Sequence, residues 1–156
     1  MTAIGKIISG GQTGVDRAAL DAAIELGITG GGWCPKGRAS EQGPIPDRYP
    51  LTETPSADPA QRTERNVRDA DATLIIAQGK LTGGAALTHR LATSLPKPCL
   101  VIDPAEATST AKVRAWLNEH AVTTLNVAGP RASTDPQIYE LALQLMRKVL
   151  APDAER

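Results

Sequence analysis

Two glycine turns, each placed where an apolar run ends and a helical pattern begins, carry the chemistry of this sequence. Residues 7–17 read Ile-Ile-Ser-Gly-Gly-Gln-Thr-Gly-Val-Asp-Arg, so Gly10, Gly11, Gln12, Thr13 and Gly14 form the first turn. Glycine lets the backbone turn sharply and lets a ligand approach main-chain N–H groups with no Cβ in the way. The helix behind presents unpaired donors and the positive end of its dipole, the expected setting for a phosphate. Gly-Gly-x-x-Gly is not the spacing of the dinucleotide fingerprint, and no Lys-Ser or Lys-Thr follows to make a Walker loop. The second turn is Gln78-Gly79-Lys80-Leu81-Thr82-Gly83-Gly84, with the Thr82 hydroxyl close to another helix start. A plain glycine connection, with Thr82 as an N-cap, is the alternative reading.

Cations gather at similar places. Cys34-Pro35-Lys36-Gly37-Arg38 puts Lys36 and Arg38 after a second apolar run, and Gly129-Pro130-Arg131 puts Arg131 after the last. Arg62 and Asn66 stand four residues apart, so on a helix they share one face and can aim a fork and an amide at the same ligand. A solvated, salt-bridged surface accounts for the same charges. Asp16 and Arg17, just inside the first helix, either cap it or pair across the site. Cys34 reads as a packed thiol or a ligand; Cys99, in Pro-Cys-Leu-Val-Ile, reads as a small hydrophobe. His89 and His120 lack metal-ligand spacing, and no His-Asp-Ser set or paired carboxylates appear. The sequence therefore points to binding, with no catalytic residue and no metal site.

Five apolar runs must position these turns: Lys6–Ser9, Gly30–Cys34, Thr73–Ala77, Cys99–Asp103 and Thr124–Ala128. Helical spacing fills the gaps at Val15–Leu26, Arg62–Asp69, Gly84–Leu95, Thr110–His120 and Pro136–Leu150. Regular alternation predicts a three-layer α/β domain over residues 1–156, a parallel sheet of about five strands with helices on both faces. The strand order 2-1-3-4-5 is expected, which sets the ligand crevice between strands 1 and 3, outside their carboxyl ends. Residues 35–61 form a long loop rich in Pro and Gly, expected to cross the surface in an ordered path.

Composition narrows the partners. Lys plus Arg equals Asp plus Glu, 17 each, so no net field favours nucleic acid or an anionic membrane. Phe is absent and Trp and Tyr number two each, too few for base-stacking platforms. No run approaches the ~20 apolar residues of a membrane span, and nothing resembles a signal peptide, so a cytoplasmic protein is expected.

Ile8-Ser9-Gly10-Gly11-Gln12-Thr13-Gly14-Val15-Asp16-Arg17, Gly31-Gly32-Trp33-Cys34-Pro35-Lys36-Gly37-Arg38 and residues 62–75, Arg-Thr-Glu-Arg-Asn-Val-Arg-Asp-Ala-Asp-Ala-Thr-Leu-Ile, together resemble the molybdenum carrier family. Thr82-Gly83-Gly84 and Asn126-Val127-Ala128-Gly129-Pro130-Arg131 extend the resemblance through most of the chain. The family includes the molybdenum cofactor carrier proteins of green algae. The resemblance implies a Rossmann-like fold, a homo-oligomer (dimer or tetramer) and binding of the molybdenum cofactor, a phosphorylated pterin, without chemical change. It implies a ligand pocket near the glycine turns; the residues read above place Gly10, Gly11, Gln12, Thr13, Gly14, Lys36, Arg38, Arg62, Asn66, Gly79, Thr82, Gly83, Gly84 and Arg131 in the expected site. The wider superfamily contains phosphoribohydrolases, whose Pro-Gly-Gly-x-Gly-Thr-x-x-Glu loop supplies a catalytic Glu. Arg62 stands at a position similar to their Arg, but Gln78–Thr88 contains no Glu. That departure favours a binding protein over the alternatives, a nucleotide-processing enzyme or a nucleotide sensor.

Overall fold

The alternating apolar runs fold into strands and the stretches between them into helices, in a computed structural model that describes residues 3–152. In chain order the first elements are β1 (Lys6–Ile8), α1 (Val15–Glu25), β2 (Thr29–Gly31), β3 (Trp33–Cys34) and β4 (Ala39–Ser40). Next come β5 (Gly43–Pro44), β6 (Thr52–Glu53), α2 (Pro59–Asp69), β7 (Ala72–Ile76) and α3 (Gly83–Ser94). The chain continues through β8 (Cys99–Ile102), α4 (Ser109–Glu119), β9 (Thr124–Ala128) and α5 (Ile138–Leu150). The expected 1–156 span includes residues 1–2 and 153–156, which lie outside the described residues.

The main sheet is parallel and five-stranded, in the order β2-β1-β9-β7-β8. The fold class is the expected one. Two neighbours of the expected order hold, the second run beside the first and the third beside the fourth. The last run, however, lies between the first and third, where 2-1-3-4-5 put it at the far edge. Burial explains the difference. Leu125, Asn126 and Val127 of β9 are all buried, whereas β8 leaves Val101 41% exposed and is the true edge. Asn126 is tolerated in the centre because its Nδ2 donates to Thr73 Oγ1 on β7, its register partner, at 3.3 Å.

Helices α1, α4 and α5 share one core with the sheet, while α2 and α3 pack together beside Ile75 and Ala77 on the other face. With no Phe, the core relies on close approach: Ala18, Ala19, Ala22 and Ala23 of α1 are completely buried against α5 and the sheet. The expected strand Gly30–Cys34 is divided. Gly32 takes φ +123 and turns the chain out of the main sheet, so that β3 pairs with β6 instead.

The long loop is an ordered excursion, anchored by buried Ile45 and Tyr49. Its organiser is Arg38. The side chain expected at the ligand donates instead to the carbonyls of Ile45 (3.1 Å), Leu51 (3.3 Å), Pro46 (2.8 Å) and Tyr49 (3.0 Å). Replacing Arg38 with alanine is expected to cost about 2–3 kcal/mol by stranding several carbonyls. Limited proteolysis should then cut within residues 37–52. Lysine should not rescue, because one ammonium cannot span carbonyls that a planar fork reaches from two sides. Equal protease resistance in Arg38→Ala would show that the apolar anchors alone hold the loop.

Candidate functional site

Above the carboxyl ends of β1, β9 and β7 lies a cavity of about 380 Å³. Gly10, Gln12 and Asp16 line it from the first glycine turn, and Arg62 and Asn66 from α2. Thr82, Gly83, Gly84 and Thr88 come from the second turn and α3; Asn126, Arg131 and Ser133 come from β9 and the turn after it. Both glycine turns therefore meet at one cavity, as expected, though with the β9 turn between them. Arg131, on the turn after β9, consequently lines the site between them.

The turns touch backbone to backbone. Val15 N–H donates to the Pro130 carbonyl at 3.3 Å, and Ala132 N–H donates to Thr13 Oγ1 at 3.1 Å. A Cβ on Gly14, at φ +81, would overlap the Pro130 carbonyl, and one on Gly129 would overlap the Ile76 carbonyl and the Val15 side chain. Gly129→Ala is expected to cost about 2–4 kcal/mol, since backbone cannot move aside as a flexible side chain does. Gly79→Ala, at φ +84 but in open space, should cost only about 1–2 kcal/mol of backbone strain. Thermal melts of the two variants test this; comparable losses would contradict the close-packing argument.

The donors of the two turns differ in availability. In the first, Gly11 N–H donates to Ser9 Oγ (3.3 Å), Gln12 N–H to Asp16 Oδ2 (3.2 Å) and Thr13 N–H to Gln12 Oε1 (3.0 Å). These amides are already engaged by the protein. In the second, the first main-chain bond is Ala86 N–H to the Thr82 carbonyl, and Thr82 makes no side-chain cap. The N–H groups of Gly83, Gly84 and Ala85 donate to no acceptor among the described residues. The open helix terminus is that of α3.

Arg62 faces it. The residue is 9% exposed, its Nη1 donates to the Gly10 carbonyl at 2.7 Å, and its Nε to the Pro59 carbonyl at 3.3 Å. Any Cβ at position 10 would collide with this guanidinium, which gives Gly10 a reason independent of ligand. Nη2 has no partner among the described residues. Asp16, 8% exposed, is pushed up to about 6 by burial, against the pull of Arg62, the Gln12 and Gly10 amides and Arg131. Asn126, 3% exposed, uses Nδ2 on Thr73 and leaves Oδ1 without a partner among the described residues.

Other expected residues fall elsewhere. Gly11 is backed by Ile45 and Leu51 of the long loop. Lys36 and Gly79 are exposed and outside the lining, and both histidines are exposed away from it. Thr13 is buried beside the cavity; its hydroxyl donates to Glu41 Oε2. Glu41 also accepts from Ser133 N–H (3.1 Å) and Ser133 Oγ (2.6 Å), with Arg131 Nη1 3.8 Å away, so the hairpin of β4 and β5 is pinned to the β9 turn. These contacts hold the Glu41 carboxyl below its ordinary range, the Ser133 and Thr13 hydroxyls foremost. Asn66 lines the cavity, yet both ends of its amide clamp the Trp33 backbone, at 2.8 and 3.1 Å. Arg17 braces the first turn from behind, through the Gly11 carbonyl and Ser40. Cys34 is fully buried, its thiol pushed up chiefly by burial, and it does not line the cavity.

The sequence reading passed over Thr88, Ser133 and Glu41, met Asn126 only inside the last motif, and left Asp16 as a helix cap or a partner across the site. Asn126 carried a usable signal, a carboxamide in the middle of an apolar strand. Among the described residues no cluster of His, Cys, Asp and Glu is arranged to hold a metal, and no helix is long and apolar enough to cross a membrane.

Fold and site together define a Rossmann-like α/β protein with an anion-suited cavity at the strands' carboxyl ends, in which the last strand of the chain occupies a central position. The family model described as "Circularly permutated YpsA SLOG family" matches residues 7–150, and the chain belongs to that family. A crystal structure described as "Putative molybdenum carrier protein", from Syntrophus aciditrophicus SB, is similar at 50% identity and a TM-score of 0.94. The match covers 96% of this chain and 97% of that one. No curated protein matches.

Proposed function

We propose that the cavity holds the phosphate end of a small ligand, the molybdenum cofactor, and that the protein carries this cargo without converting it. One observation carries the reading: the unengaged amides of Gly83, Gly84 and Ala85 open onto the same cavity as the buried Arg62 guanidinium. A helix N-terminus and a fixed guanidinium both suit a phosphate. The relative at 50% identity, described as a "Putative molybdenum carrier protein", supports the choice of cargo. In this reading Gly10, Gln12, Thr82, Gly83, Gly84, Arg62 and Arg131 surround the ligand, while Gly11, Thr13, Gly14, Asn66 and Arg38 hold the loops that surround it. A cytoplasmic homo-oligomer is part of the same proposal, checked by light scattering.

The test is purification from cells that make the cofactor and from cells blocked in its synthesis. Bound pterin and molybdenum should reach comparable, near-stoichiometric amounts only in the first preparation, and fall in Arg62→Ala. Repeated absence of both from the wild-type protein would sink the carrier reading.

A second reading has its own observation. The loop after β7 lacks the Glu of related hydrolases, but Asp16 puts a buried carboxyl with a raised pKa into the same cavity, where it could exchange a proton with a bound nucleoside monophosphate. Release of free base from a nucleotide panel, abolished by Asp16→Asn, would favour an enzyme. A nucleotide sensor would show stabilisation without turnover, about 2.7 kcal/mol at a hundred times the dissociation constant.

A further inference from the structure

The floor of the cavity carries acceptors as well as donors, an arrangement that a simple anion hole would avoid. Asp16 lines the cavity from the first turn of α1 and Asn126 from the centre of the sheet; both are more than nine-tenths buried. Asp16 faces two cations, Arg62 on α2 and Arg131 after β9, but forms no ion pair within 4 Å of either. Asn126 Oδ1 is left without a partner among the described residues. A dry carboxylate beside an oxyanion repels it unless a proton lies between them.

We propose that Asp16, seconded by Asn126 Oδ1, makes this cavity select oxyanions that bring a proton or are basic enough to share one taken up from solution, phosphate or a phosphate monoester, over the weakly basic sulfate and molybdate. The inference rests on the reading of the cavity as a phosphate site and decides which end of a molybdenum-bearing cargo is held. It is the phosphate.

Hydrogen phosphate carries a hydrogen at neutral pH; sulfate and molybdate carry none. At the open α3 amides, Arg62 and Arg131, the three dianions present the same shape and charge. They differ at Asp16. Hydrogen phosphate donates its O–H to the carboxylate, converting a repulsion into a charge-assisted hydrogen bond. A phosphate monoester is a bare dianion at pH 7.5, but its second pKa near 6 is close to that of Asp16, so the pair draws one proton from solution on binding and shares it. Sulfate and molybdate require the carboxyl itself to be protonated first.

Calorimetric titration of the full-length protein with inorganic phosphate, sulfate and molybdate at pH 7.5 tests this. Phosphate should bind at least about tenfold tighter than either competitor, and Asp16→Asn should compress the three to within a few-fold, mainly by strengthening sulfate and molybdate. Asparagine keeps an oxygen for the Gln12 amide, so the turn should survive. Independently of any variant, binding of a phosphate monoester such as glycerol phosphate to the wild-type protein should take up close to one proton, read as the buffer dependence of the heat. Equal affinities in the wild-type protein, or a preference that persists in Asp16→Asn, would overturn the selectivity while leaving the phosphate site intact. Failure of all three anions to bind would overturn the phosphate site itself, and the inference with it.

Discussion

Arg62→Ala should lower the affinity for inorganic phosphate by about ten- to a hundredfold, the loss expected for one charge-assisted hydrogen bond in a desolvated site. Three roles converge on this side chain. Nη1 satisfies the buried Gly10 carbonyl, the aliphatic stem packs where no Cβ could sit at position 10, and Nη2 is left for a ligand. Truncation therefore also destabilises, by about 1–3 kcal/mol for an orphaned carbonyl. A melt measured beside the titration separates the two losses, because a folded variant at low temperature still reports the binding term. Arg62→Lys should recover part of the stability and little of the affinity: one ammonium serves the Gly10 carbonyl or the ligand, not both. Removing the cation also removes the foremost of the influences that restrain Asp16, so that carboxyl should titrate still higher than about 6. Undiminished phosphate binding by Arg62→Ala would mean that the cavity is not the anion site.

How much of this was readable beforehand depended on whether the deciding interaction was local. Strand, turn and helix alternate because Ile7, Ile8 and the alanines of α1 follow their periods, and the two glycine turns stand out for the same reason. The position of β9 was not readable. Thr-Leu-Asn-Val-Ala is less apolar than the Cys-Leu-Val-Ile of β8, yet the former is central because Asn126 finds Thr73 across the strands. Nor could spacing reveal that Ser9, Gln12 and Asp16 turn back on the first glycine turn and engage its amides. That self-satisfaction moves the open donors from the first turn to Gly83 and Gly84 of the second. Arg38 illustrates the same limit: a cation at a strand's carboxyl end looks like a ligand contact until four carbonyls surround it.

Asp16→Asn should raise the melting temperature at pH 7.5 while leaving it nearly unchanged at pH 4. The carboxyl titrates near 6 when folded and near its ordinary 3.8 otherwise. Between those values the folded protein keeps a proton that the unfolded chain has released. Folding is therefore favoured at the acid end of the window, and this contribution is lost as pH rises from about 4 to about 6; above that the loss is complete. Roughly two pH units correspond to about 3 kcal/mol, of which asparagine should recover about 1–3, since it removes the charge but brings an amide that lacks partners. In a domain of this size that is a gain of about 2–12 °C. The carboxylates held low by their partners, Glu25 by Arg147, Asp69 by Arg68 and Asp71 by the Thr123 and Thr124 amides, act in the opposite direction. They are common to both proteins and cancel in the difference. The pull of Arg62 is already part of that balance; the α1 dipole also favours the charge. A pH-independent difference, or a less stable variant at pH 7.5, would show that these attractions outweigh burial. Where burial wins, the wild-type protein keeps a destabilising charge in its cavity, a cost consistent with a residue retained for what it does to the ligand.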